Sequence, residues 1–82
     1  MAKAAKLLEA MRRNPQDWRI EQLQSVAEAH GLVWRQPGSS HVTFRHPGGA
    51  MLTVPAKRPI KPIYVKLFVR LIDGIEAQDP AR

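Results

Sequence analysis

The sequence predicts one α+β domain in which helices cover one face of a three-stranded antiparallel sheet. Three observations predict this class: the order of helical and alternating segments, two tight glycine-containing connections between strands, and a length of 82 residues, which suits one domain. Helices precede and follow the strands instead of alternating with them, so antiparallel pairing is expected and not βαβ crossovers. The opposite face of the sheet would then be open to solvent.

Two amphipathic helices are predicted at the start of the chain. Across residues 3–13 apolar side chains recur at helical intervals, with basic residues between them. Pro15 disfavours helical backbone in the residue before it, and Asp17 is the expected N-cap of the second helix. Gly31 is the expected stop. The apolar stripe of the second helix consists of Ile20, Leu23, Val26 and Ala27.

Three short strands follow, because the next segments are rich in β-branched and aromatic residues and are separated by turn residues. The strands are predicted at residues 32–36, 41–46 and 51–54, with turns at 37–40 and 47–49. The second strand alternates strictly, so if Val42 and Phe44 face the core, then His41, Thr43 and Arg45 face outward. By the same alternation His46 should lie on the Phe44 side.

A last helix is predicted from Pro62, a residue type favoured at the first helical position, through residue 75. Its polar residues Lys66, Arg70 and Asp73 form one narrow stripe, so most of its circumference is apolar. Two explanations remain open: a protein partner covers the excess apolar surface, or the first helix of this chain does. Residues 76–82 are expected to form a flexible tail.

The composition favours an anionic partner. The 13 Lys and Arg residues exceed the 7 Asp and Glu residues and give a formal net charge of +6, which attracts nucleic acid, an acidic protein or an anionic membrane surface. The alternative is that these charges only keep the protein dispersed. The chain has no cysteine, which removes disulfides and thiolate zinc sites, and it contains neither a signal peptide nor an apolar run long enough for a membrane span. We therefore expect a cytoplasmic protein that does not bind membranes.

His41 is the candidate for chemistry, because it is the histidine predicted to combine exposure with basic neighbours. Its imidazole can accept and give a proton near neutral pH, as attack of a ribose 2′-hydroxyl on its own phosphate requires. The cations available to stabilise the charge on phosphate are Arg35, Arg45, Lys57 and Arg58. Taken alone, an outward histidine beside an arginine is more often an ordinary surface residue. No metal-ligand spacing, phosphate loop or serine nucleophile elbow is present, so no metal or cofactor is expected.

Residues 31–47, followed by the sequence Leu-Thr-Val-Pro at 52–55, resemble the HicA family of toxin messenger-RNA interferases. In that family a Gly-Ser turn leads to a histidine three residues before an aromatic residue, followed by a basic residue and His-Pro. A hairpin ending in Thr-Val-Pro then leads to the last helix. The matching residues here are Gly38, Ser39, His41, Phe44, Arg45, His46, Pro47, Thr53, Val54 and Pro55.

The resemblance covers residues 18–72 and divides the chain into a basic N-terminal helix extension at 1–16, a toxin domain at 17–75 and the tail at 76–82. It implies a fold like the double-stranded RNA-binding domain, with His41 as the catalytic residue. Relatives often place the histidine directly after the Gly-Ser pair, whereas Ser40 intervenes here. The turn Gly38, Ser39 and Ser40 is therefore part of the expected site.

The resemblance further implies a metal-independent endoribonuclease that cuts mRNA and is silenced by a HicB-type antitoxin covering the sheet face with His41. A homodimer or a heterotetramer with the antitoxin would be the expected assembly. Two other classes remain open: a non-catalytic RNA-binding module, which the charge supports, and a protein-interaction domain that uses the apolar last helix.

Overall fold

The computed structural model describes residues 2–77, and the side chains of residues 4–38 and 40–75. The elements follow in the predicted order of two helices, three strands and a helix, which confirms the α+β class. Their bounds are α1 Ala2–Arg13, α2 Ile20–Ala29, β1 Val33–Arg35, a 3-10 turn Pro37–Ser39, β2 His41–Arg45, β3 Met51–Pro55 and α3 Pro62–Ala77.

The three strands form an antiparallel meander in the order β1-β2-β3, as predicted. Phe44 on the central strand lies between Trp34 and Leu52, and Val42 pairs with Val54. β1 is shorter than predicted because the N–H of Leu32 bonds to the carbonyl of Ala27 at the end of α2. Leu32 therefore completes the helix terminus and does not join the sheet ladder.

One face of the sheet carries the hydrophobic core. Phe44 is fully buried and its ring lies 5.1 Å, centroid to centroid, from that of Phe68 on α3, an aromatic contact at an interplanar angle of 55°. Between the sheet and the helices every buried side chain is apolar, among the residues given a burial class. The buried set is Leu8, Met11, Ile20, Leu23, Val26, Ala27, Leu32, Val42, Phe44, Val54, Ile60, Val65, Phe68, Val69 and Ile72.

The first helix of the chain packs beside the last one, which is the second of the two explanations left open for the apolar surface of α3. α1 contributes Leu8 and Met11 to the core and contacts both α2 and α3. The guanidinium of Arg12 donates two hydrogen bonds to the carboxylate of Asp73, at 2.7 and 2.9 Å. Ile63 at the start of α3 remains 56% exposed, so the cover is incomplete.

The prediction that Asp17 caps the second helix is wrong. Asp17 has left-handed backbone with φ of 65°, and the residue that precedes α2 is Arg19. Trp18 forms an isolated antiparallel bridge with Ile60, whose N–H donates to the Trp18 carbonyl at 2.8 Å. This pairing holds the chain extended until Ile20. The Arg19 N–H is satisfied instead by the side-chain oxygen of Gln22 at 2.9 Å.

The last helix begins at Pro62, as predicted, and continues to Ala77. The predicted tail at 76–82 therefore starts within the helix, and its residues 78–82 lie outside the described part of the chain. None of the helices between residues 2 and 77 combines the length and the apolar character needed to cross a membrane.

Candidate nucleic-acid interface

The face of the sheet opposite the helices carries the candidate catalytic residue. Side chains of β2 alternate as the sequence predicts: Val42 and Phe44 are buried, His41 and Arg45 are exposed, and Thr43 is half-buried. This alternation follows from strand geometry, because successive side chains point to opposite faces. His41 therefore stands on the open face, at the start of the central strand.

The strand register orders the open face into three rows. Arg45 lies between Val33 and Met51, Thr43 lies between Arg35 and Thr53, and His41 lies opposite Pro55. The hydroxyls of Thr43 and Thr53 are 3.1 Å apart and form a hydrogen bond across the middle row. His41 and Arg45 thus occupy opposite ends of β2.

In this strand register Arg35 lies closer to His41 than Arg45 does. Arg35 is a diagonal neighbour of His41 on the adjacent strand, a relation that sets Cα atoms about 7–8 Å apart. Arg45 is four residues along the same strand, which corresponds to about 13 Å at the usual rise per residue. Of the two arginines on this face, Arg35 is the one placed to reach a phosphate at His41.

The turn before β2 positions His41. Gly38 has φ of +71°, a left-handed conformation that glycine adopts without a steric penalty, and it lets the 3-10 turn Pro37–Ser39 reverse the chain. Ser40 directly precedes β2, and its carbonyl accepts a hydrogen bond from the N–H of Ala56, directly after β3, at 3.0 Å. Its Oγ lies 3.3 Å from Nδ1 of His41. With the proton on Nδ1, the other ring nitrogen Nε2 is free to accept a proton.

A first groove, here called the sheet groove, opens at the Arg45 end of β2. Its cavity volume is about 680 Å³, and Arg35, Arg45, Val33 and Met51 line it. His46 lines it as well, so the prediction from alternation does not hold for this residue. β2 ends at Arg45, and the Nδ1 of His46 accepts a hydrogen bond from the N–H of Gly48 at 3.0 Å.

A second groove, here called the loop groove, lies between the linker after α1 and the loop between β3 and α3. Its cavity volume is about 600 Å³. Its lining includes Lys57 and Arg58, which the sequence singled out, together with Lys61 and Tyr64, which it did not. The sequence pattern that could have identified Lys61 is a lysine directly before Pro62, the proline that starts α3. The predicted cations are thus divided between two grooves, and His41 lines neither cavity.

The cations of both grooves have no acidic partner among the side chains that the structure describes. The ion pairs between these side chains join Arg12 to Glu9 and to Asp73, on the helical side of the molecule. The hydrogen bond from Arg12 lowers the pKa of the Asp73 carboxyl, and the charge of Arg12 adds to this effect. The charges of Arg35, Arg45, Lys57 and Arg58 are therefore available to an anionic ligand.

This arrangement can bind a polyanion along the open face and offer an imidazole to it. No cluster of three or more His, Asp or Glu side chains within the described residues is arranged to hold a metal ion. Comparison of the chain with models of protein families, with characterised proteins and with solved structures gave no match.

Proposed function

We propose that this protein is an endoribonuclease that cleaves messenger RNA without a metal ion, with His41 as its catalytic residue. The observation that carries the proposal is the place of His41, exposed at the open face of the sheet between two grooves whose cations have no internal acidic partner. A polyanion bound across both grooves would pass His41. The basic net charge of +6 supports binding of a polyanion such as RNA.

The proposed reaction is an internal transesterification. His41 Nε2 removes the proton of a ribose 2′-hydroxyl, and the resulting 2′-oxygen attacks the adjacent phosphorus. The bond to the 5′-oxygen breaks, and that oxygen takes up a proton from the imidazolium of His41. The products are a 2′,3′-cyclic phosphate and a 5′-hydroxyl, with no net change in His41. Arg35 stabilises the charge that develops on the phosphate, while Arg45, Lys57 and Arg58 hold flanking phosphates.

We also propose that the fold is like the double-stranded RNA-binding domain and that the protein is a toxin of the HicA type. The order α2-β1-β2-β3-α3, with the buried side of the sheet against the helices, supports this fold. An antitoxin of the HicB type would cover the open face. The protein would act in the cytoplasm, as a homodimer or as a heterotetramer with the antitoxin. Val33 and Met51, 61% and 62% exposed on that face, would give such a partner an apolar contact.

A non-catalytic RNA-binding module is the second candidate function, and one observation favours it. Ser40 is the side chain that hydrogen-bonds His41 in the described structure, so no carboxylate orients its imidazole there. A module of this kind needs the basic grooves but makes no demand on His41. The two candidates therefore differ in what the loss of His41 would do.

The test is RNA cleavage in EDTA by the purified wild-type protein, by His41→Ala and by a matched control, His30→Gln. His30 closes α2 and its Nδ1 contacts the carbonyl of Val26, away from the open face. We expect wild type and the control to cleave, and His41→Ala to be slower by about 100-fold or more. Expression of the wild type should also arrest growth. Equal cleavage by His41→Ala would refute the catalytic role, and RNA binding without cleavage by any form would favour the second candidate.

A further inference from the structure

The loop groove contains side chains that the proposed reaction does not use. Tyr64, Asp17 and Lys61 line it beside Lys57 and Arg58. Pro55 lines it too, and Pro55 is the residue paired with His41 across β2 and β3. Side chains paired in this way have Cβ atoms about 4.5–5.5 Å apart. The groove therefore begins directly beside the candidate catalytic residue.

The charges of the groove suit a phosphate. Lys57, Arg58 and Lys61 line the groove together with one carboxylate, that of Asp17. None of these four side chains forms an ion pair or a hydrogen bond with a side chain that the structure describes. Tyr64 is half-buried and adds an aromatic ring to the wall. RNA-binding sites for single strands combine such cations with aromatic rings on which bases stack. A cavity of about 600 Å³ is also large enough for one nucleotide.

Asp17 supplies the group that would distinguish one base from another. Its backbone is left-handed, with φ of 65°, a conformation that aspartate and asparagine tolerate better than most residues. The ionised carboxylate only accepts hydrogen bonds, and its two oxygens match two adjacent donors. Guanine is the base that offers such a pair on its Watson–Crick edge, from N1–H and the exocyclic N2 amino group.

We propose that the loop groove is a guanine subsite for the nucleotide next to the cleaved phosphate. The base stacks on Tyr64, the Asp17 carboxylate accepts from N1–H and N2–H, and Lys57, Arg58 and Lys61 hold the phosphate. This inference rests on the proposed function in that the ligand is single-stranded RNA. In this proposal Asp17 determines the preference for guanine, and His41 remains the residue that transfers the proton.

The test measures binding, so that it does not depend on cleavage. A labelled short oligouridine with one central guanosine is titrated with the His41→Ala protein, and the same RNA is made with inosine, which lacks only the N2 amino group. We expect guanosine to bind about tenfold more tightly than inosine. Asp17→Asn should remove this difference, and asparagine keeps the left-handed backbone.

Variants at Tyr64 and Lys61 separate stacking from charge. Tyr64→Phe keeps the ring and should bind the guanosine RNA like its parent, whereas Tyr64→Leu should weaken binding by about tenfold. Lys61→Ala should weaken binding of both RNAs, because it removes a cation that holds the phosphate. Lys66→Ala is the matched control and should bind like its parent, because Lys66 is exposed on α3 and does not line the groove. Circular dichroism spectra of all variants check that they are folded.

Equal affinity of the His41→Ala protein, in which Asp17 is unchanged, for the guanosine and inosine RNAs would overturn the subsite. Displacement of the RNA by free GMP at equal concentration would also overturn it, because that result would indicate a site for free nucleotides. If the wild-type protein cleaves RNA without a preference for guanosine, the proposed endoribonuclease activity is supported and the guanine subsite is overturned. Guanosine-dependent binding by a protein that never cleaves would support the subsite and remove the proposed catalysis.

Discussion

Replacing Met11 by alanine should destabilise the protein strongly, because this side chain of α1 is only 1% exposed and lies in the core. Removing a buried methionine costs about 2–5 kcal/mol, from the lost burial and the cavity left behind. Small domains unfold with free energies of roughly 0.05–0.15 kcal/mol per residue, which is about 4–12 kcal/mol for this length. The substitution would therefore remove a large part of the total stability.

Met51→Ala is the matched control, since the same side chain is 62% exposed there. Its expected effect is within about 0.5 kcal/mol. Thermal unfolding followed by circular dichroism should show a midpoint for Met11→Ala that is lower by at least about 8 °C, at roughly 4–8 °C for each kcal/mol. Similar midpoints for the two variants would refute the conclusion that α1 belongs to the folded core and would make it a loosely attached extension.

Three further predictions concern the pair between α1 and α3 and the site. Since the hydrogen bond from Arg12 lowers the pKa of Asp73, the pair stabilises the fold above the ordinary value of 3.8 and stops doing so as the pH falls through the lower folded pKa. Asp73→Asn should therefore cost up to about 1 kcal/mol in urea unfolding at pH 7, a surface-pair value, and the difference should vanish in acid; a constant difference contradicts this. Gly38→Ala should cost about 1 kcal/mol, because φ of +71° is strained for alanine, and should slow RNA cleavage; unchanged stability and rate would count against the role of the turn. Arg35→Ala should lower kcat for RNA cleavage, whereas Arg45→Ala should mainly raise KM; the reverse pattern would exchange their proposed roles.

The sequence predicts the elements and the open face well, because both depend on local periodicity. Strict alternation in β2 is enough to separate His41 and Arg45 from Val42 and Phe44, and Pro62 is enough to start α3. The periodic pattern of a helix or strand is visible in the same few residues that form the element.

Features set by distant parts of the chain could not be predicted in this way. Asp17 fails as a cap because Trp18 pairs with Ile60, a contact that no local pattern contains. The division of the cations into two grooves depends on the register of the strands, which makes Arg35 the near neighbour of His41 and moves Arg45 to the far end. The same holds for Tyr64, whose place in the loop groove follows from how α3 packs.

The most direct test of the central claim is an analysis of the RNA ends left by cleavage in EDTA. We expect a 2′,3′-cyclic phosphate and a 5′-hydroxyl from the wild type, no cleavage at a site with 2′-deoxyribose, and loss of these products in His41→Ala. A 5′-phosphate product, cleavage at the deoxy site, or the same products at the same rate from His41→Ala would contradict it.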